Sequence, residues 1–259
     1  MADFTREEIE EKLEEYRELV AAREDEDEFV DEPSEENTEE EASDEEKDQE
    51  EETSDEEESP EEETLENIFE DKDLSGLDLS GLNFHGISLR QTNLKNTNLS
   101  NCTLAESCLD QANLDHANLS DASLENISCL EGIMTHANME SANLQDAKLL
   151  GTDFSDSNLE GANFRKSKCM ETKLVRCNLN ETDFSNSDFS RANLQDAKIT
   201  DGDLSRARFN NADFERTDLT DSRLSMGVFF EANFKSANLN RALIKGAKLA
   251  GGNFADACL

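Results

Sequence analysis

The chain is poor in the side chains and motifs on which most enzymes depend. It has no tryptophan, one tyrosine and three histidines among 259 residues. No phosphate-binding loop, nucleophile elbow or metalloprotease motif occurs in it. These absences argue against catalysis, and we expect a non-enzymatic protein that needs no cofactor.

Long apolar runs and paired cysteines are also missing. No stretch approaches 18 consecutive apolar residues, so the sequence predicts no transmembrane helix. The acidic N-terminus lacks the basic and apolar regions of a signal peptide. The six cysteines form no CxxC motif, which indicates buried, reduced thiols. We therefore expect a cytoplasmic protein.

Positive charge is scarce, and the acids are unevenly distributed. The chain carries 63 Asp/Glu against 24 Lys/Arg, a formal net charge of −39, and residues 1–63 alone hold 34 of the acids. Residues 24–63 contain only one base, Lys47. Because this segment repels itself and has little apolar surface to bury, the sequence predicts a disordered acidic linker at 24–63. The acidity disfavours nucleic acid and anionic membranes as direct partners.

A short amphipathic helix is predicted ahead of that linker, within residues 1–23. Thr5 and Glu8 have the spacing of a capping box. Apolar residues follow at helical intervals: Ile9, Leu13, Tyr16 and Val20. Such a helix offers an apolar face for docking.

A five-residue repeat fills the rest of the chain. Leu or Phe occupies 33 of the 39 positions taken every fifth residue from Phe69 to Leu259, and the other six are also apolar. The position two residues earlier is small in 33 of 34 repeats from Thr92 to Ala257, with Ile127 as the exception. Residues two apart on an extended chain point to the same side, so each unit sends one large and one small side chain inward. This pattern predicts a narrow solenoid with a solid core.

Correlations over 20 residues indicate four sides per coil. Asparagine recurs at that interval at positions 98, 118, 138, 158 and 178. Phenylalanine does the same at 189, 209 and 229, and again at 214, 234 and 254. A 20-residue coil places each set in a ladder with neighbours about 4.8 Å apart.

The repeats resemble the pentapeptide-repeat family, whose consensus is A-(D/N)-L-x-x. Stretches such as Ala112-Asn113-Leu114, Ala162-Asn163-Phe164 and Ala237-Asn238-Leu239 carry the resemblance. It implies an all-β solenoid, a right-handed quadrilateral β-helix, over residues 74–259, with a segment at 64–73 leading into it. The first repeats place large side chains at the small positions, at Leu77, Leu82 and Ile87. We interpret them as a plug over the open N-terminal end.

One outer wall of the rod stands out as a candidate contact surface. Leu130, Leu150 and Met170, here called the apolar strip, recur every 20 residues at outward positions, flanked by Lys148 and Lys168. Exposed contiguous apolar surface tends to mark contacts. We expect a protein partner, or the chain's own N-terminal helix, to dock there.

Two further sites follow from the register. The last coil holds Leu249, Phe254 and Leu259 inside, so its uncovered edge predicts a tail-to-tail homodimer. His116, His136 and Asp156 fall in one outward column and define a candidate metal site, against the alternative of three solvated side chains.

The leading interpretation is a rigid protein-binding rod with an acidic N-terminal arm. The resemblance also implies an alternative, because some family members imitate DNA and bind bacterial gyrase. This chain shows no loop insertion between coils, unlike the quinolone-resistance members, and its acidity is concentrated in the arm. A metal-dependent function at His116, His136 and Asp156 is the second alternative.

Overall fold

The computed structural model describes residues 2–27 and 67–259. The one helix among these described residues, α1, spans Arg6–Asp27. The predicted capping box forms: the Thr5 backbone N–H donates to Glu8 Oε2 at 2.7 Å, and the Glu8 N–H donates to Thr5 Oγ1 at 3.3 Å. The helix continues four residues beyond the predicted end at 23, through Asp27. The rest of the predicted acidic linker lies outside the described residues.

The repeats build a solenoid of 20 residues per coil. Parallel bridges pair residues 20 apart, from Asp73 with Asn93 to Asn238 with Cys258, and each strand is a single bridged residue between turns. Adjacent coils are joined by backbone hydrogen bonds such as Leu94 N to Asn113 O at 2.7 Å. Four bridges per coil produce the predicted square cross-section.

The geometry of the corners explains why a polar residue often precedes each turn. The second residue of each turn is left-handed, as at Gly76 (φ 72°) and Asn96 (φ 58°). The bridge residue before the turn is often Asn or Asp, whose side-chain oxygen accepts a hydrogen bond from the backbone two residues on. Asp73 Oδ1 does so from Ser75 N at 3.0 Å. This Asx turn lets the chain close a corner without an extra residue.

The ladders predicted from the 20-residue period are present on the wall and in the core. Asn118 donates to Asn98 at 3.0 Å, and Asn138 donates to Asn118 at 3.1 Å, which confirms the asparagine ladder. Inside the rod, the rings of residues 214 and 234 stack with centroids 4.8 Å apart, and those of 234 and 254 follow at 4.9 Å. The 20-residue period is therefore confirmed both outside and inside the rod.

Helix α1 covers the N-terminal end of the solenoid. Ile9 and Leu13 are buried in the same core as the first coils, and the Phe4 ring meets Phe69 edge-on at 5.6 Å. Arg6 anchors the helix by donating to the carbonyl of Asp78 at 2.9 Å. The alternative in which the N-terminal helix docks on the apolar strip is thus wrong, because Ile9 and Leu13 pack against the core of the first coils instead.

The plug residues lie beneath that helix. Leu77 and Leu82 are partly buried against the core, and Ile87 is fully buried. The large side chains at small positions fill the space between the first coils and α1. The cap is therefore shared between the first repeats and the helix.

Burial falls away at the other end of the rod. Leu239 is 4% exposed, whereas Ile244 is 44% and Leu259 is 79% exposed. Leu249 and Phe254 are only partly buried. No described residue covers this end, and the predicted dimer contact there stays a prediction.

Candidate functional site

The structure places the apolar strip and its lysines together on one wall. Leu150 and Met170 are each 41% exposed, and Leu130 is half-buried. Lys148 and Lys168 are bridge partners in adjacent coils, two residues away from the strip along the chain. The wall exists because these residues face outward at the same point of successive coils.

Next to the strip the wall is indented. An open cleft of about 560 Å³ is lined by Lys166 and Lys168 from one coil and by Arg206 and Arg208 from two coils further on. The coil between them contributes the shorter outward side chains of Asn186 and Asp188, which explains the depression. We call this the cation cleft. Met170 belongs to its lining, so cleft and apolar strip are continuous.

Sequence reasoning missed half of the cation cleft. Lys168 and Arg208 share a column that the 20-residue period reveals, but Lys166 and Arg206 stand at the left-handed corner positions, with φ of 59° and 61°. The five-residue period identifies those corner positions only as turn residues. Reading two adjacent columns together, rather than one at a time, would have found the cluster.

The cations of the cleft differ from many others on the rod. Within residues 2–27 and 67–259, no ion pair joins Lys166, Lys168, Arg206 or Arg208 to a carboxylate, and the same is true of Lys148 beside the apolar strip. Elsewhere, arginines hold an acid of the neighbouring coil, as in the bidentate pairs Arg176–Asp156 and Arg216–Asp196.

One carboxylate lies inside the cleft. Asp188 Oδ1 accepts hydrogen bonds from Ser190, from the backbone N–H at 3.0 Å and from Oγ at 2.6 Å. These bonds turn Asp188 toward its own corner. Four cations against this single acid leave the cleft positively charged on a protein with a net charge of −39.

The predicted metal site needs a correction. His116 and His136 do stack, with ring centroids 4.5 Å apart and planes inclined by 19°. Asp156, however, is engaged by Arg176, whose hydrogen bond is the main cause of the lowered pKa of that carboxyl. The acid that meets both imidazoles is Asp115, one residue before His116. The 20-residue period did not reveal Asp115, because this residue belongs to the column next to that of the histidines. Its side chain nevertheless reaches the same corner of the rod.

The buried thiols are poor nucleophiles. Burial raises the pKa of Cys102 to about 11 and that of Cys177 to about 12. Burial also raises the pKa of Cys129 and Cys169 far above the usual thiol range. All six cysteines are free. The thiols on the inward positions therefore act as small core side chains.

An acidic groove lies on a different wall. It is lined by Glu181, Asp201 and Asp221 from successive coils, together with Arg223 and Leu243. Arg241 forms an ion pair with Asp221, and Arg223 lies 3.7 Å from Asp203 Oδ2. The acids of this wall are thus partly neutralised.

Comparisons with known proteins address the fold. No curated protein sequence matches this chain. Among solved structures, the chain is similar to HetL, a pentapeptide repeat protein involved in heterocyst differentiation regulation from the cyanobacterium Nostoc sp. strain PCC 7120. The two are 26% identical, with a TM-score of 0.56, over 72% of this chain and 86% of HetL.

A weaker similarity joins the chain to full-length QnrB1, a plasmid-mediated fluoroquinolone resistance protein. The identity is 15% and the TM-score 0.32, over 67% of this chain and 84% of QnrB1. This likeness carries no functional argument. No described helix is long and apolar enough to cross a membrane.

The family model for pentapeptide repeats matches almost the whole rod. Its matched segments are 68–96, 97–128, 137–168, 167–206, 187–225 and 228–259. The right-handed quadrilateral β-helix implied by the resemblance is therefore the fold of this chain. The chain belongs to the pentapeptide-repeat family.

Proposed function

We propose that the protein is a non-enzymatic interaction module that binds an acidic segment of a protein partner on the wall formed by the cation cleft and the apolar strip. One observation carries this proposal: cations without ion-pair partners among the described residues stand beside exposed leucine and methionine on a strongly acidic protein. The free thiols support a cytoplasmic, reducing setting as part of the same proposal.

Charge selects the class of partner. Acids outnumber bases by more than two to one in the chain, yet Lys166, Lys168, Arg206 and Arg208 are not neutralised by any described ion pair. A positive cleft on a negative rod attracts an acidic segment locally, while the rest of the rod repels other acidic surfaces. Such complementarity steers encounter and fixes the orientation of the bound segment.

The apolar strip supplies the contact area. Leu150 lines a second hollow with Met170, Ser190 and Asn210, directly beside the cation cleft. A partner segment that carries acids on one side and an apolar side chain on the other satisfies both features. Because the wall is built from hydrogen-bonded coils, the rod needs little reorganisation on binding.

Selection from a random peptide library tests the proposal while the partner is still unidentified. Displayed 12-residue peptides are selected on the full chain, and the recovered sequences are measured by fluorescence polarisation. We expect enrichment of Asp and Glu together with Leu or Phe. Binding should weaken by at least about tenfold in a Lys168→Glu/Arg208→Glu variant and with rising salt.

The matched control is Lys198→Glu, which reverses a cation away from the cleft. It should leave the affinity within about twofold, because Lys198 does not line the cleft and salt weakens the interaction of separated exposed charges. Peptides that bind the parent and the cleft variant equally well would overturn the proposal. So would selected peptides without acidic enrichment.

A DNA-mimicking regulator of a DNA-binding enzyme such as bacterial gyrase is the alternative function. The acidic groove supports it less, because Arg241 neutralises Asp221 and Arg223 also lines the groove. A gyrase supercoiling assay with the added chain separates the two functions. Inhibition that is lost in Glu181→Gln/Asp201→Asn, with peptide binding at the cleft unchanged, would favour the mimic.

A further inference from the structure

A second constellation lies at another corner of the rod and is independent of the proposed docking wall. Asp115, His116 and His136 bring one carboxylate oxygen and two imidazole nitrogens within 4.8 Å of one another. Both histidines are half exposed, and Asp115 is largely covered. The two histidines occupy successive coils, so the fold itself creates the cluster.

The donor separations already approach those of a coordination sphere. Asp115 Oδ1 lies 2.8 Å from His116 Nδ1 and 3.2 Å from His136 Nδ1. Ligands at about 2.0–2.2 Å from a zinc ion in tetrahedral geometry are roughly 3.3 Å apart. Two of the three edges of the ligand triangle therefore need only small adjustments.

Neighbouring residues orient and ionise the carboxylate. Lys95 Nζ lies 2.8 Å from Asp115 Oδ2, and Thr135 Oγ1 donates to Oδ1 at 2.8 Å. Partial burial acts to raise the pKa of Asp115, but hydrogen bonds from Lys95, Thr135 and the two histidines hold it well below its usual range. These contacts fix the orientation of the carboxylate, with Oδ1 turned toward both imidazoles.

The imidazole rings of the two histidines lie side by side at one corner of the rod. His116 and His136 both stand at left-handed corner positions, with φ of 61° and 56°, and their rings stack at 4.5 Å. Both Nδ1 atoms lie near Asp115 Oδ1. Because an imidazole binds a metal in its own ring plane, the two stacked rings must tilt toward each other to hold one ion, and their exposure leaves room for that rotation. Two imidazoles and one carboxylate are ligands suited to zinc and other late first-row divalent ions.

We propose that Asp115, His116 and His136 form a surface site for a divalent transition-metal ion, with Zn²⁺ as the ion to be tested. The ion binds Asp115 Oδ1 and the Nδ1 atoms of both histidines. Three protein ligands leave at least one coordination position open, which water or a side chain of a bound protein fills.

The three histidines of the chain allow a direct test by NMR. His85 lies outside the cluster and serves as an internal control. In a Zn²⁺ titration of the full chain, the imidazole signals of His116 and His136 should shift or broaden at the first equivalent, with His85 unchanged. Equal behaviour of all three signals, or no change in any, would overturn the site.

Calorimetry with variants gives the second measurement. A Cys258→Ser background removes the exposed thiol as a competing ligand. His136→Gln should weaken Zn²⁺ binding by at least about tenfold, whereas His85→Gln should match the background. Unaltered binding in His136→Gln would assign the heat to carboxylates elsewhere and refute the proposal. Because His136 is half exposed, the variant keeps the fold, which its melting curve verifies.

Discussion

At the scale of single residues, the pentapeptide rule is enforced by burial and by hydrogen bonding together. The small inward position is often Ser or Thr, whose hydroxyl then needs a backbone carbonyl inside the rod. Thr97 donates to Leu74 O at 2.9 Å, and Ser157 donates to Met134 O at 2.6 Å. Among the described residues, Ser107 has the one buried side-chain oxygen without a partner. The effect of an inward Ser or Thr on the stability of the rod therefore depends on whether its hydroxyl finds a hydrogen-bond partner.

This difference makes Ser107→Ala a stabilising change. Removing a buried hydroxyl without a partner should raise the free energy of unfolding by about 1 kcal/mol. Ser157→Ala is the matched control: it deletes a satisfied hydroxyl, which also accepts from Ala137 N, and should lower stability by about 1 kcal/mol. Chemical denaturation followed by circular dichroism measures both. Equal effects of the same sign in the two variants would contradict the argument.

The inward register has an equally direct test. Leu159→Asp places a carboxylate in a dry column where the leucine is fully buried, and should abolish the cooperative melting transition. Leu150→Asp makes the same chemical change at a side chain that is 41% exposed, and should shift the melting temperature by only a few degrees. A parent-like melt for Leu159→Asp would mean that this leucine does not face the core.

At the scale of elements, the helix is a lid on the solenoid rather than an arm. Its apolar residues continue the core beyond the first coil, and Arg6 ties it to the carbonyls of Asp78 and Ser80. A solenoid end without such a cover exposes apolar side chains and unpaired backbone groups. Loss of the helix should therefore destabilise the rod from this end, beginning with the coil that carries Leu74 and Leu79.

Leu13→Asp tests the lid. The substitution puts a charge where the leucine is 2% exposed and should reduce stability by at least about 2 kcal/mol. Leu19→Asp, at a residue 36% exposed on the same helix, should change stability by less than about 0.5 kcal/mol. Hydrogen exchange supplies the location: the amides of Leu74 and Leu79 should lose protection in the first variant only. Unchanged protection there would show that the helix does not stabilise the first coil.

At the scale of the whole molecule, the rod is asymmetric between its ends. The N-terminal end is covered by α1, while burial declines toward Leu259. Exposed apolar side chains include Leu243 at 56% and Ile244 at 44%, next to the partly buried Leu249 and Phe254. Uncovered edges of this type favour pairing with another backbone edge.

We therefore expect a tail-to-tail homodimer formed by Leu249, Phe254 and Leu259. Sedimentation equilibrium at about 100 μM should show the dimer mass if the dissociation constant lies in the micromolar range. Phe254→Lys should return the chain to a monomer, and Phe230→Lys, an exposed aromatic on the side wall, should not. A single monomer mass for the parent at that concentration would exclude this contact.

The repeat itself was determined by the sequence. A strict five-residue period allows only one large and one small inward side chain per unit, and correlations at 20 residues then set four sides per coil. The asparagine and phenylalanine ladders followed directly, because a regular solenoid converts sequence separation into position without further information. The start of the helix could also be predicted, because the hydrogen bonds of a capping box join residues only three apart in the sequence.

Contacts between side chains of neighbouring columns were decided by the tertiary structure alone. Lys166 joined Lys168 in the cation cleft, and Asp115 replaced Asp156 beside the histidines, because corner side chains reach sideways to neighbouring columns. The docking place of α1 also emerged only in three dimensions, where Ile9 and Leu13 join the core of the first coils. Such choices depend on distances and on competing partners, such as Arg176 for Asp156, and a one-dimensional period does not encode them.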